Sequence, residues 1–474
     1  MTTIKREYQI GNWITILVMT TVSLICFVLL LTDSNQPSYY NLLCTLPLSF
    51  IVFSLAFYKI FSFIPTNIGV SLVVFLFFIR NVISPLMMYV GNYTSTISKD
   101  IAQNTNDAIL LVIYENLVVF FVLHLCVIKK QNQPINEKPI YKSLSKSRKN
   151  TYIKLVIIML VILFLCIFYT PQLMMSYRTV AEINDPFFTN AEDSYVVQKY
   201  GTSFLSKLSL VVGNYIMRIA LLIVPASIIV IMHEKDGFAG NACKLYSFLI
   251  CFVPLFFIGG AIARSLIYVI CLLLLREMLY NPTKINKKIV IVAGLGFVAI
   301  LLFWTARDIG GSDKLQDLSL KFSSYFSGVN VVSGVFNLPK EINYKIKYFL
   351  FDFTATVPFG NTIFHTNGEM TIQPFFNMYN DSFGQIPPTI GIGYYYFGPI
   401  FAPAYSIIFA LISFKAGEKI RCKDFDNPFQ FARLIYTVFI FSMGIIMYNI
   451  EITMINTLCI LVPIIIMEKI AYDK

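Results

Sequence analysis

Charge is scarce in this chain. Only 13% of its 474 residues are Asp, Glu, Lys or Arg, against roughly 25% in a soluble domain, and that shortage excludes an ordinary water-soluble globule. Hydrophobic residues make up 57% and the mean hydropathy is +0.69. The chain therefore reads as an all-α polytopic membrane protein, its length set by a bundle of spanning helices. The sequence lacks zinc-ligand spacing, a P-loop and a Gly-x-Ser-x-Gly elbow, the short signatures of zinc, nucleotide and serine-hydrolase sites. No metal and no cofactor is expected. No cysteine falls in an expected outer loop. Cys26, Cys44, Cys126, Cys166, Cys251, Cys271 and Cys459 lie in apolar runs, and Cys243 and Cys422 in inner connections, which argues against a disulfide framework. The first apolar run, 13–32, is too long for a signal-peptide core and has no small-residue cleavage site after it, so it is expected to stay as a helix.

A span needs about 20 apolar residues. Runs of that kind fall near 13–32, 40–60, 67–90, 108–128, 153–173, 204–232, 245–262, 265–280, 289–305, 390–414, 430–448 and 451–467. This gives twelve expected spans with both termini cytoplasmic. The net charge of +11 raises the question of nucleic acid, but the basic residues are spread over short loops. Lys129, Lys130, Lys138, Lys142, Lys146, Arg148 and Lys149 share one connection; Lys284, Lys287 and Lys288 another; Lys415, Lys419, Arg421 and Lys423 a third. The positive-inside rule accounts for them, and no nucleic-acid partner is expected. Residues 245–280 are read as a hairpin bent at Gly259–Gly260, and the 430–467 run as split at Asn449 and Glu451.

The organisation is nine spans in 1–304, a long outer loop over 305–389, and three spans in 390–474. The loop is far longer than an ordinary connection. Within it, 315–337 and 343–353 are expected to be short helices lying in the membrane interface, forming a lid or side wall at the outer leaflet.

Arginine near a bilayer is expensive and asks for a reason. Arg264 tops the hairpin, Arg307 ends the ninth span, Arg178 lies just beyond the fifth, Arg80 is within the third and Arg218 within the sixth. Several guanidinium groups facing one cavity would suit a diphosphate, because the planar fork binds phosphate oxygens in pairs. Arg80 has a second reading, since Glu115 falls at similar depth and would neutralise it. Arg307 equally has Asp308 beside it. His365 is the histidine expected outside, and a histidine can take a proton near neutral pH; a surface histidine is the plainer reading. Glu369 and Asp381 are nearby carboxylates, though Asp381 before Ser382 and Gly384 also reads as a turn residue.

The run GNTIFHTNGEMTIQPFFNMYNDSFGQIPPTIGIGYYYFGPI, residues 360–400, resembles the last outer loop and following helix of Wzy-type oligosaccharide repeat-unit polymerases. The parts that carry the resemblance are Asn361–Thr362, Phe375–Phe376, Tyr379, Asp381, Phe383–Gly384, Tyr394–Tyr396 and Phe397–Gly398, with Ser382 interrupting the Asp-Phe-Gly motif. Arg264 and Arg307 are similar in placement to arginines that the family uses near its polyprenyl diphosphate. The resemblance implies a GT-C-type glycosyltransferase of the bacterial inner membrane. It implies transfer of a growing chain from undecaprenyl diphosphate onto a new lipid-linked repeat unit, giving O-antigen or capsular polysaccharide. On that reading Arg264, Arg307, Arg178 and Arg80 bind substrate with Asn361 and Tyr379, and His365 or Asp381 takes the acceptor proton. The partners implied are the undecaprenyl-diphosphate-linked oligosaccharide, membrane lipid, a chain-length regulator and a flippase. The competing readings are an O-antigen ligase and a lipid-linked oligosaccharide flippase. A flippase would show short loops and internal symmetry, neither of which the sequence offers.

Overall fold

A computed structural model of the chain describes residues 2–95, 97, 101–131, 146–178, 203–234, 240–259, 262–281, 314–326, 328–357, 360–366, 370–382, 384–422 and 427–472. It is helical but for a two-residue antiparallel ladder pairing Tyr177–Arg178 with Ile258–Gly259. Among the described residues, eight helices are long and apolar enough to cross a membrane: Trp13–Thr32, Ser38–Ala56, Ile68–Val90, Gln103–Lys130, Lys149–Tyr169, Phe204–Glu234, Pro428–Ile446 and Ile450–Ala471. A bent pair, Thr389–Phe401 and Ala404–Cys422, makes a ninth if counted as one span.

The remaining expected spans differ from straight crossings. The 390–414 run bends by 105°. Gly398 has φ 78°, which a side chain would strain, and Pro399 follows it inside the helix. The chain folds back there. A Cβ on Gly393 would lie 2.1 Å from the Ala402 carbonyl oxygen, and the Thr389 hydroxyl lies 3.2 Å from that of Ser406. The 245–262 run holds only the eleven-residue helix Gly240–Ile250, then a 3-10 turn at Val253–Leu255. Eleven residues rise about 16 Å, too short for a bilayer core of about 30 Å. Ile262–Tyr280 is a separate helix. The expected ninth span, 289–305, lies outside the described residues.

The chain divides into two compact units interleaved along the sequence. One joins Met1–Pro134, Asp308–Glu418 and Thr437–Leu458; the other joins Ile135–Arg307, Lys419–Tyr436 and Cys459–Lys474.

In the first unit the Ile68–Phe78 helix begins at Asn67, whose side chain accepts the Val70 N–H at 3.1 Å and donates to Glu418 at 2.9 Å. The helix then widens into a π turn at Ile79–Ile83. There the buried Arg80 pairs with the buried Glu115 at 2.5 Å. The other Glu115 oxygen accepts from the Ser406 hydroxyl, and Thr389 donates to the Ile445 carbonyl at 2.8 Å. A buried polar chain thus ties five helices together.

The long loop belongs to this unit. Lys314–Tyr325 packs on Ser84–Val90, and Val329–Phe336 packs on Ile101–Lys130. All eight residues of Val329–Phe336 are buried, so 315–337 is not one interfacial helix. Its second part is core: valines and Phe336 pack inward, and the Ser333 hydroxyl donates to the Asn330 carbonyl at 2.8 Å. Tyr40 anchors it by a 2.5 Å hydrogen bond to Asn330. The helix over 343–353 is present as Ile342–Thr356.

In the second unit Lys146–Tyr169 packs on Phe204–Glu234, which also contacts Ile262–Tyr280. Tyr152 stacks on Phe429 with centroids 3.8 Å apart. Arg433 meets Glu468 at 3.0 Å.

Candidate functional site

The first unit holds a buried carboxyl that the sequence reading passed over. Asp352 lies on the inner face of Ile342–Thr356, only 6% exposed. One oxygen accepts the Ile372 N–H, first of the Ile372–Tyr379 helix, at 2.8 Å. The other accepts the Tyr396 hydroxyl at 2.7 Å. Removal from water pushes the Asp352 carboxyl up to about 6, against the lowering effect of the Ile372 N–H and the Tyr396 hydroxyl.

Glu451 faces it electrostatically and takes a hydrogen bond from Thr371. The half-buried Glu451 sits in the first turn of Ile450–Asn456, a helix capped by Asn449 through the Ile452 N–H at 2.7 Å. Asn449 also donates to Gln373 at 3.2 Å. Two carboxylates, a phenol and a threonine hydroxyl therefore converge from four elements of one unit.

An aromatic bank stands beside them. Tyr348 stacks on Phe375 at 4.2 Å, Phe375 meets Tyr344 at 6.4 Å and Tyr379 at 5.9 Å, and the Lys345 ammonium lies 5.8 Å from the Tyr395 ring centroid. Faces and edges of this kind bind flat apolar surfaces, sugar rings included. Nearby carboxylates can accept a hydroxyl proton.

The residues singled out from the sequence divide between the two units. Tyr379, half-buried, ends the Ile372–Tyr379 helix. Asp381 follows at φ 47°, exposed, in the left-handed position after the helix. The Ser382 N–H closes onto the Asn377 carbonyl at 2.9 Å, the six-to-one bond of a Schellman ending. Asp381 thus has the turn role that its neighbours suggest. His365 is exposed at φ 56°, just after Gly360–Ile363, the helix that contains Asn361. The adjacent Thr366 hydroxyl is 3.0 Å from that of Thr354, which brings the His365 turn to the end of the helix that carries Asp352. Arg80 is committed to Glu115.

In the second unit, Arg178 and Arg264 are drawn together by backbone. Arg178 pairs with Ile258, six residues before Arg264. Arg264 and Arg218 both act on the Tyr268 hydroxyl and the Cys459 thiol, and Tyr215 hydrogen-bonds that thiol. Three arginine positions thus gather around one end of the Ile262–Tyr280 helix. Arg307 and Glu369 lie outside the described residues.

No family model, curated protein or solved structure matches the chain. What can be said of its chemistry therefore rests on these side chains. The sequence signal for the missed pair was present in both cases. Asp352 is a lone acid inside the aromatic run YFLFDF, and Glu451 had served only to divide two helices.

Proposed function

We propose that the chain is a membrane-embedded glycosyltransferase. It polymerises undecaprenyl-diphosphate-linked oligosaccharide units into O-antigen or capsular polysaccharide, at the outer face of a bacterial inner membrane. The observation that carries this reading is the Asp352–Glu451 pair beside the Tyr344, Tyr348, Phe375 and Tyr379 bank, within and next to the stretch that resembles the Wzy-type polymerases.

The step requires three things. The acceptor hydroxyl must be oriented, its proton removed, and the departing charge held. A new bond forms between the acceptor oxygen and the anomeric carbon. The bond from that carbon to the diphosphate oxygen breaks, and the electron pair leaves with the lipid diphosphate. The acceptor proton goes to Glu451, with Asp352 holding Tyr396 and the Ile372 amide in place. The aromatic bank and Asn361 orient the sugars, and the exposed His365 contacts them from the adjoining turn. For the diphosphate, the resemblance offers Arg178, Arg264 and Arg307 by their place in the sequence. Arg80 is set aside, since Glu115 already holds it.

The test is a gel of surface polysaccharide from cells with and without the chain. A deletion that leaves a core bearing one repeat unit, with the ladder restored by the chain, supports polymerisation. Loss of the single unit as well overturns it in favour of flipping or ligation.

A further inference from the structure

The Ile342–Thr356 helix has two faces that the residue spacing keeps apart. Tyr348, Asp352 and Thr356 are buried on one side, and Thr354 is buried at the C-terminal end, where its hydroxyl meets that of Thr366. Ile342, Ile346, Phe349, Leu350 and Phe353 are exposed, from 40% at Phe349 to 71% at Ile342. Their spacing of four, three, one and three places them on one side of a helix. The helix has fifteen residues, about 22 Å at 1.5 Å per residue, and cannot itself cross a bilayer. A soluble surface rarely exposes such a contiguous stripe without a partner.

The stripe does not end at the helix. Phe349 packs edge-on against Tyr396 at 5.4 Å and Phe397 at 6.2 Å. Phe397, Ile400 and Phe401 are themselves exposed, the last two by 72% and 66%, and they lie at the bend of the Thr389–Phe401 and Ala404–Cys422 pair, which together is long and apolar enough for one membrane span. The exposed apolar surface therefore runs from the loop helix onto the membrane helices. Lysines border it. The Lys347 ammonium lies 5.4 Å from the Phe351 ring centroid and 6.0 Å from that of Tyr348, Lys345 lies near Tyr395, and Lys340 is exposed just before the helix. Such side chains lay their stems on apolar surface and lift the charge toward headgroup phosphates.

We infer that Ile342–Thr356 lies in the plane of the membrane, its Ile342–Ile346–Phe349–Leu350–Phe353 stripe seated among the acyl chains of one leaflet. Its lysines meet anionic headgroups, and its inner face keeps Asp352 inside the protein. The occupant of the stripe is lipid. This inference does not depend on the polymerase reading.

The experiment uses the full chain with Trp13 and Trp304 changed to Phe, and Phe353→Trp as the sole reporter. The protein is reconstituted in phosphatidylcholine–phosphatidylglycerol vesicles, with or without bromine on the acyl chains. Trp at 353 is expected to emit at short wavelength, lose most of its intensity to brominated lipid and ignore aqueous iodide. A Lys340→Trp control, at an exposed position just before the helix, is expected to respond to iodide. Quenching of the 353 reporter by iodide but not by brominated lipid overturns the inference. Protection from both quenchers, with cross-linking between copies of the chain, overturns it in favour of a protein contact. Leu350→Trp gives the same reading if Phe353→Trp does not accumulate.

Discussion

Asp352 and Tyr396, 44 residues apart, meet carboxylate to hydroxyl at 2.7 Å. The contact has a consequence for stability against pH. Burial raises the Asp352 carboxyl from 3.8 to about 6, so between those values the folded chain holds a proton that the unfolded chain has released. Stability from this group is fully present below about pH 4. It falls as pH climbs to about 6, by on the order of 3 kcal/mol, and is level above. Asp352→Asn stays neutral throughout and keeps an acceptor for Ile372. Its thermal unfolding in detergent should show a flatter slope between pH 4 and 6 than the native chain. An unchanged slope would mean that Asp352 is not the titrating group.

Glu451→Gln removes the assigned proton acceptor while keeping the size and the Thr371 contact. Polymer formation should fall by about 100-fold or more, the usual worth of a general base, with the protein still in the membrane. His365→Ala should cost less than about tenfold, as expected of an exposed contact residue rather than the base. The reverse ranking, read from polymer ladders at matched protein levels, would move the proton to His365.

Arg264→Ala should abolish polymerisation without lowering the amount of protein. Arg307→Ala is expected to do the same. Full-length ladders from both variants would remove the diphosphate role from these two arginines.

Arg80 and Glu115 should behave differently, because their loss is a matter of folding. Arg80→Ala leaves a buried carboxylate without its cation, at a cost of roughly 3–5 kcal/mol, and should lower accumulation. The double change Arg80→Met with Glu115→Leu should recover much of it, since a buried ion pair exchanged for well-packed apolar side chains is often neutral. A double variant as poor as the single one would show that the packing needs the polar Arg80–Glu115–Ser406 chain itself and not only its volume.

Gly393→Ala places a methyl 2.1 Å from the Ala402 carbonyl oxygen. Backbone cannot yield as a side chain can, so the fold-back should open at a cost of roughly 1–3 kcal/mol, visible as a lower melting temperature in detergent. Gly384→Ala has open space around it and meets only the strain of φ 68°; it should cost less.

Run length made most of the membrane helices legible in the sequence, and eight of the runs read there correspond to helices that meet the requirement. Length alone could not show that 390–414 turns back on itself, although Gly398, Pro399 and Pro403 mark the place. Nor could it separate Val329–Phe336 from an interfacial helix, because a short segment rich in valine suits either a core or a membrane surface. The Arg80–Glu115 pairing was legible from matching depth. Asp352 and Glu451 were not, since 99 positions separate them and only the packing of Ile342–Thr356 against the start of Ile450–Asn456 brings them together. His365 and Asp381 drew attention by residue type, yet each occupies a left-handed turn that gives it a local conformational role as well.

The polar chain through Arg80, Glu115 and Ser406 also sets an order of events during synthesis. Ser406 follows Glu115 by 291 residues, so at roughly 5–20 residues per second the carboxylate is made about 15 to 60 seconds before that partner. Arg80 precedes Glu115 by only 35 residues and is present as soon as the carboxylate is made. The early helices can therefore enter the bilayer with their two charges already matched. They then wait, electrically balanced, for the late segments that complete their packing.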